Sequence, residues 1–227
     1  MTLKERLAAA GLMIDDKTAA RFDRYADILL SENEKYNLTA VRDRAGIEER
    51  HFFDSLSPLL TGAFPAGARR VLDLGTGGGF PGLPLLFCRP DLQMTLMDST
   101  EKKCGFVRAV LAREGLDAEV IAGRAEEIAG ERRGSYDLVV SRAVAELKIL
   151  VELALPFLKK GGELIAYKGE RAAEEAAGAG NAIAVLGGGE PRIVPTASGG
   201  NLVIIKKTGD TPETYPRSYA RMKKKPL

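Results

Sequence analysis

The sequence predicts an α/β fold: a mostly parallel, seven-stranded sheet with one antiparallel strand, carrying an N-terminal helical extension. Three observations predict it. From residue 69 onward, short apolar runs alternate with helical segments, the pattern of strands buried on both faces beneath crossover helices. Before that point only helical spacing occurs. The last two apolar runs, PRIVPT and NLVIIKK, are separated only by ASGG, too short for a parallel crossover, so the sheet should end in an antiparallel strand.

The elements follow in order. Residues 3–10 and 16–36 have helical spacing, with Phe22, Tyr25, Ile28, Leu29 and Tyr36 near one face. A further helical segment covers about 46–61, with Phe52, Phe53, Leu56, Leu59 and Leu60. RRVLDL is the first strand, and PGLPLLFC starts a helix with Pro81 in its first turn, where a missing N–H costs little. MTLMD, AEVIA, YDLVVSRA and GGELIAYKG are the next four strands. EKKCGFVRAVLAREGL, RAEEIAG and ELKILVELALPFL are the helices between them. ERAAEEAAGAGNAIAVLGG is mostly helical and leads to the closing hairpin. The expected organisation is a helical extension over 1–65, a core over 66–209 and a basic tail over 210–227.

Composition narrows the function classes. A chain of 227 residues, 45 % apolar, suits one domain with a decorated end. No apolar run approaches the ~20 residues that span a bilayer. The start, MTLKERLAAAGLMIDD, reads as an amphipathic helix and not as a signal peptide. The two cysteines, Cys88 and Cys104, form no CxxC motif, which points to a reducing cytoplasm. The single histidine, His51, leaves too few soft ligands for a zinc site, so no metal is expected. Net charge is only +2, yet between Lys206 and Leu227 seven basic residues face two acidic ones, Asp210 and Glu213. That end is either a patch for an anionic partner or a solvated tail.

The densest motif is VLDLGTGGGFPGLPL, residues 71–85, where four of the five residues from Gly75 to Gly79 are glycine. A glycine cluster between the first strand and a helix allows a tight turn and close approach of a ligand to backbone amides. It lies at the strand edge where doubly wound sheets bind nucleotides. The nicotinamide fingerprint fits poorly: with Gly75 and Gly77 as its first glycines, the third position is Phe80, and the shifted register Gly77, Gly79 and Gly82 restores it only with two extra residues after the strand. Asp73 stands close before Gly75, awkward for a pyrophosphate but suited to the cationic end of S-adenosylmethionine. Asp98 ends the second strand, where a carboxylate accepts hydrogen bonds from ribose hydroxyls. Ala125 and Glu126 follow the third strand, beside an adenine, although Glu126 equally suits a helix first turn.

These residues resemble the bacterial small-subunit ribosomal RNA guanine-N7 methyltransferases (RsmG, also GidB) over nearly the whole chain. The resemblance is carried by YNLTAV (36–41), RHFFDSL (50–56), VLDLGTGGGFPGLPL, DSTEKKCGFV (98–107), GRAEE, VVSRAVAEL (139–147), AYKG and the ending YPRSYARMKKKPL. It implies a class I S-adenosylmethionine-dependent methyltransferase (Rossmann-like) fold, S-adenosylmethionine as cofactor, and a guanine of 16S ribosomal RNA or the small subunit as target. It carries Gly75, Phe80, Ala125, Glu126 and Arg142 over as cofactor residues. The chain departs at Gly78, where many relatives have an acidic or another small residue, without harm to the site. The alternatives on the same fold are an NAD(P)-dependent oxidoreductase and a ribosome-associated factor that holds the cofactor only as a structural ligand.

The residues agree with the implied reaction. Guanine N7 has an exposed lone pair and no proton to remove, so no catalytic acid or base is expected, and positioning dominates. Arg142 after the fourth strand, Lys168 at the end of the fifth and His51 are the candidate site-lining residues. The plain alternatives are rim charges for the first two and a satisfied half-buried histidine for the third. Asn37, Thr39, Asp54 and Ser55 either border the site or serve locally, Asn37 at a helix C-terminus and Asp54 as an N-cap. Arg217, Arg221, Lys223, Lys224 and Lys225 are the expected RNA contacts, and Tyr215, Tyr219 and Arg217 interleave where they could stack bases. Tyr215, Pro216 and Leu227 are also placed to fold the tail back onto the core.

Overall fold

A computed structural model describes residues 1–227, except for the side chain of Glu34. Helix α1 (Leu3–Ala9) opens with a capping box: Thr2 Oγ1 accepts from the Glu5 amide, and the Glu5 carboxylate accepts from the Thr2 amide. Helix α2 (Asp16–Tyr36) starts at Asp15, which accepts from the Thr18 amide at 2.7 Å. It ends at Asn37 with φ +50°, a left-handed cap that asparagine tolerates. Helix α3 (Arg44–Ile47) runs into a π-helical turn over Glu48–Phe53, followed by α4 (Ser57–Leu60). The expected helix over 46–61 is thus a wider, broken one. The π turn carries His51, and π turns inside helices often mark functional sites.

Strand β1 (Arg70–Leu74), α5 (Gly82–Cys88), β2 (Gln93–Asp98), α6 (Glu101–Glu114), β3 (Glu119–Ala122), α7 (Ala125–Ile128) and β4 (Tyr136–Arg142) follow the expected alternation. They continue as α8 (Leu147–Ala154), β5 (Leu158–Lys168), α9 (Ala172–Gly178), α10 (Gly180–Val185), β6 (Arg192–Pro195), β7 (Asn201–Lys206) and α11 (Tyr219–Lys224). The seven-stranded order is β3-β2-β1-β4-β5-β7-β6. Only β7 runs antiparallel to its neighbours, as the short ASGG connection requires, but it lies between β5 and β6. The sheet's edge is therefore β6, parallel to the rest. This arrangement carries the tip of the β6–β7 hairpin to the same edge as the carboxyl ends of β1, β4 and β5.

Alternate residues of each strand feed two cores. Val71, Leu138, Val140, Ile165 and Tyr167 face one cluster, which also holds Phe22, Tyr25 and Leu29 of α2, Phe52 and Phe53 of the π turn, and Phe106 of α6. Leu72, Leu74, Val139, Leu164 and Ala166 face the other, under α8, α9 and α10. The N-terminal helices thus share a core with the sheet, and Tyr25 and Phe52 stack with ring centroids 5.3 Å apart. Met222 of α11 is fully buried in the second core, against which Tyr215, Tyr219 and Leu227 also pack. The C-terminal segment is therefore a packed element and not a solvated end. Among the described residues, no helix is long and apolar enough to cross a membrane.

Candidate active site

The glycine loop is held from three sides. Gly75, Gly77 and Gly79 all have positive φ, at +78°, +57° and +99°. From beneath, Asp73 Oδ2 accepts from Thr76 Oγ1 at 2.6 Å and from the Gly82 amide at 2.8 Å. From α2, the buried hydroxyl of Tyr25 donates to the Gly78 carbonyl. From β2, Asp98 accepts from the Gly77 amide at 3.0 Å and from the Thr100 amide at 2.9 Å. Asp73 is completely buried, so its expected role at a cofactor's cationic end is corrected: the carboxylate points under the loop and braces it. Burial pushes its pKa up to about 7, against the opposing pull of the Thr76 and Gly82 donors.

Two cavities meet over this loop, sharing Gly75, Asp98, Ser99 and Val144. The larger, about 590 Å³, is lined by Gly77, Phe80 and Lys103, and by His51, Asp54 and Arg142. The smaller, about 250 Å³, is lined by Gly123, Arg124, Ala125 and Glu126, with Leu153 and Tyr219. The structure therefore brings Gly75, Gly77, Phe80, Asp98 and Arg142 to the larger cavity and Gly75, Asp98, Ala125 and Glu126 to the smaller, two neighbouring spaces that share Gly75 and Asp98. A Cβ built on Gly77 would meet no heavy atom nearer than 4.0 Å, so that position opens into space. A Cβ on Gly75 would lie 2.2 Å from a methyl of Val144, because the loop after β4 presses on it. That loop turns at Ala143, whose φ of +58° is rare for a residue with a side chain and is tolerated at functional loops.

Arg142 connects the site to both N-terminal motifs. Its Nη1 donates to Asp54 Oδ2 and to the Arg50 carbonyl, each at 2.9 Å, and its Nη2 lies 3.2 Å from His51 Nδ1. Its guanidinium also sits 5.1 Å from the centroid of the Phe80 ring, on which His51 stacks at 4.6 Å. His51 Nε2 is 2.5 Å from Thr39 Oγ1, which accepts from the Val41 amide. An arginine N–H can only donate, so Nδ1 of a neutral His51 accepts and Nε2 carries the proton. Burial, and then the nearby Arg142 charge, lower the His51 pKa to about 4. His51 is thus both satisfied and site-lining.

The alternatives left open for Asp54 and Lys168 are decided, and one expectation, at Arg217, is corrected. Asp54 is not an N-cap: its Oδ1 accepts from Ser198 at the hairpin tip, and its Oδ2 accepts from Arg142. Lys168 is not a free rim charge. Its ammonium donates to Glu175 at 2.8 Å and to the Ala145 carbonyl at 2.7 Å, beside a third cavity of about 370 Å³ that shares Asp54 and Arg142 with the largest. Arg217 is not available to RNA, because its guanidinium is bidentate to the buried Glu152, at 2.8 and 2.6 Å. Arg221, Lys223, Lys224 and Lys225 do face solvent. Sequence reading did not find Thr39 as the partner of His51, Ser198 as the partner of Asp54, Val144 against Gly75, or Tyr219 in the smaller cavity. All four are contacts between distant segments.

Residues 18–203 match the family described as rRNA small subunit methyltransferase G. The "Ribosomal RNA small subunit methyltransferase G" of Pelotomaculum thermopropionicum is 40 % identical over 234 residues, covering 100 % of this chain and 98 % of its own. That of Streptococcus sanguinis is 36 % identical over 236 residues, covering 97 % and 96 %. In fold, the chain resembles the O-methyltransferase TomG of Streptomyces achromogenes, solved with SAM, at a TM-score of 0.57 and 16 % identity, covering 91 % of this chain and 96 % of that one. It also resembles cofactor-bound Rv0187 from MTB, at a TM-score of 0.59 and 20 % identity, with the same coverage. With the sheet order, the glycine loop and matches that span both N-terminal motifs and the C-terminal segment, the chain belongs to the rRNA small subunit methyltransferase G family.

Proposed function

We propose that this chain transfers the methyl group of S-adenosylmethionine to N7 of a guanine in 16S ribosomal RNA, in the cytoplasm. The observation that carries the reading is the pair of neighbouring cavities that share Gly75 and Asp98 at the glycine loop, in a chain of this family. The donor set fits the cofactor. Asp98 lines both cavities, and each carboxylate oxygen, already accepting from an amide, keeps a lone pair for a ribose hydroxyl. Lys103 and Arg142 line the larger cavity, where positive charge suits an amino-acid carboxylate. Ala125 and Glu126 line the smaller, at the end that suits an adenine.

When bound, the cofactor supplies an electrophilic methyl group on a sulfonium. The chain's own task is to hold the purine in line with that methyl and to keep competing water away. No residue has to take a proton from N7, which carries none. His51, held neutral by burial and by Arg142, adds no positive charge beside the sulfonium. Arg221, Lys223, Lys224 and Lys225 supply phosphate contacts that set affinity but not sequence choice.

The test is mass mapping of 16S ribosomal RNA from cells with and without this protein, paired with transfer of labelled methyl to small subunits and to naked RNA. One 7-methylguanosine lost with the protein and restored by it in vitro is expected. An unchanged modification map, with no label incorporated into either substrate, overturns the reading.

A further inference from the structure

We propose that the C-terminal helix α11 is a wall of the cofactor's nucleoside cavity, with Tyr219 contacting the adenine and Arg217 acting as a positioning residue. The proposal rests on the cofactor reading above. Tyr219 lines the same space of about 250 Å³ as Asp98, Ala125 and Glu126. It reaches that space from the far end of the chain.

A helix of six residues does not hold its place by itself. Here it is seated by contacts that a solvated end does not need. Glu152 of α8 is buried, and both its oxygens are taken by Arg217, through Nε at 2.8 Å and Nη2 at 2.6 Å, while the Arg217 amide adds a third bond at 2.9 Å. A buried ion pair recovers its desolvation cost only in good geometry, and this bidentate pair has it. Arg133 donates to the carbonyls of Thr211 and Tyr215, fixing the approach to the helix. Met222 is fully buried on its inner side.

The anchor and the cavity are adjacent in both segments. Glu152 receives Arg217, and the next residue, Leu153, lines the cavity with Tyr219. The pair therefore holds the tyrosine ring at the space where an adenine would lie. An aromatic face gains contact area and stacking with a purine ring. The ligand class is adenosine-containing molecules, recognised at their base.

The experiment is calorimetry on the full chain with S-adenosylhomocysteine and methylthioadenosine, which lacks the amino-acid end. Each variant is measured well below its own melting transition. Tyr219→Leu should weaken both ligands by a similar factor, about tenfold, because the loss lies at the shared base. Tyr219→Phe, which keeps the ring, should restore the affinity. Arg217→Gln should weaken both ligands in the same proportion, acting through the displaced helix. Wild-type affinity in Tyr219→Leu overturns the proposal, even if that variant melts earlier. So does a loss confined to S-adenosylhomocysteine, which would put the residue at the other end of the cofactor. Failure of the wild-type chain to bind either ligand overturns the cofactor reading itself, and this proposal with it.

Discussion

Arg142 Nη1 donates to Asp54 Oδ2 at 2.9 Å, with 15 % and 21 % of the two side chains exposed. Through that bond the last residue of β4 holds the N-terminal segment against the site. Arg142→Ala should lower kcat/KM for methyl transfer about a hundredfold, or ~2.7 kcal/mol. It should also lower the melting temperature, because Asp54 loses its cation at a largely buried place. For ~1–2 kcal/mol in a chain of this size, the fall is about 2–8 °C. Steady-state kinetics beside a thermal melt check both. A wild-type kcat/KM for both cofactor and RNA would reduce Arg142 to a structural tie to Asp54.

His51 is the chain's one histidine, so its imidazole signals in an NMR titration are unambiguous. They should titrate with a midpoint near 4. The folded pKa is below the unfolded value of about 6.5, so the neutral ring's contribution to stability is fully present above that value. The contribution declines as pH falls from there through 4. Arg142→Gln removes one cause of the shift and should raise the midpoint. A wild-type midpoint at the unperturbed value contradicts the burial and the tautomer described here.

Gly77 and Gly79 should separate binding from folding. Gly77 has φ +57°, and a Cβ there would meet no heavy atom nearer than the Gly75 carbonyl oxygen at 4.0 Å. Gly77→Ala should therefore cost ~1 kcal/mol of stability and crowd the cofactor, with about a tenfold loss in S-adenosylhomocysteine affinity. Gly79 has φ +99°, and a Cβ there would lie 2.4 Å from Leu83 and 2.8 Å from the Tyr25 hydroxyl. Gly79→Ala should destabilise by more than ~2 kcal/mol through strain and displacement of that packing. Urea unfolding and calorimetry on both variants decide this. Equal effects on both quantities would mean the loop responds as a single unit.

The basic residues of the C-terminal segment divide into two kinds. Replacing the exposed Arg221, Lys223, Lys224 and Lys225 with Gln should leave the melt unchanged. If all four meet phosphates, the salt slope of RNA binding should fall by about three, at ~0.7–0.9 per contact. Deleting residues 215–227 should instead lower the melting temperature and weaken the cofactor, because it uncovers Glu152 and removes Met222 and Tyr219. RNA binding at several salt concentrations, with a melt of each protein, distinguishes the two. A truncated chain that melts and binds cofactor like the full one refutes the packed segment.

Much of this protein is written locally. Apolar runs such as RVLDL and NLVIIK have to be buried strands, ASGG has to be a hairpin, and the positions of Gly75 to Gly79 require a turn that other residues strain to make. These depend on neighbours within a few residues, so the alternation, the single antiparallel strand and the site's edge were legible. The motifs around Asp98 and Ala125–Glu126 were legible for the same reason, since strand ends in this topology converge.

The destination of each polar side chain was not local. Asp73 stands next to the site in sequence, yet it lies buried under the loop on the sheet face that carries Val71, where Thr76 and Gly82 take it up. Arg217 has the same charge as Arg221, but only Arg217 meets a buried carboxylate, and that carboxylate belongs to α8. A charge is spent on solvent, on a partner or on a ligand according to what the fold brings beside it. The sequence determined the sheet, the turn and the family; only the tertiary structure decided which of its charged residues brace the site and which remain free to bind.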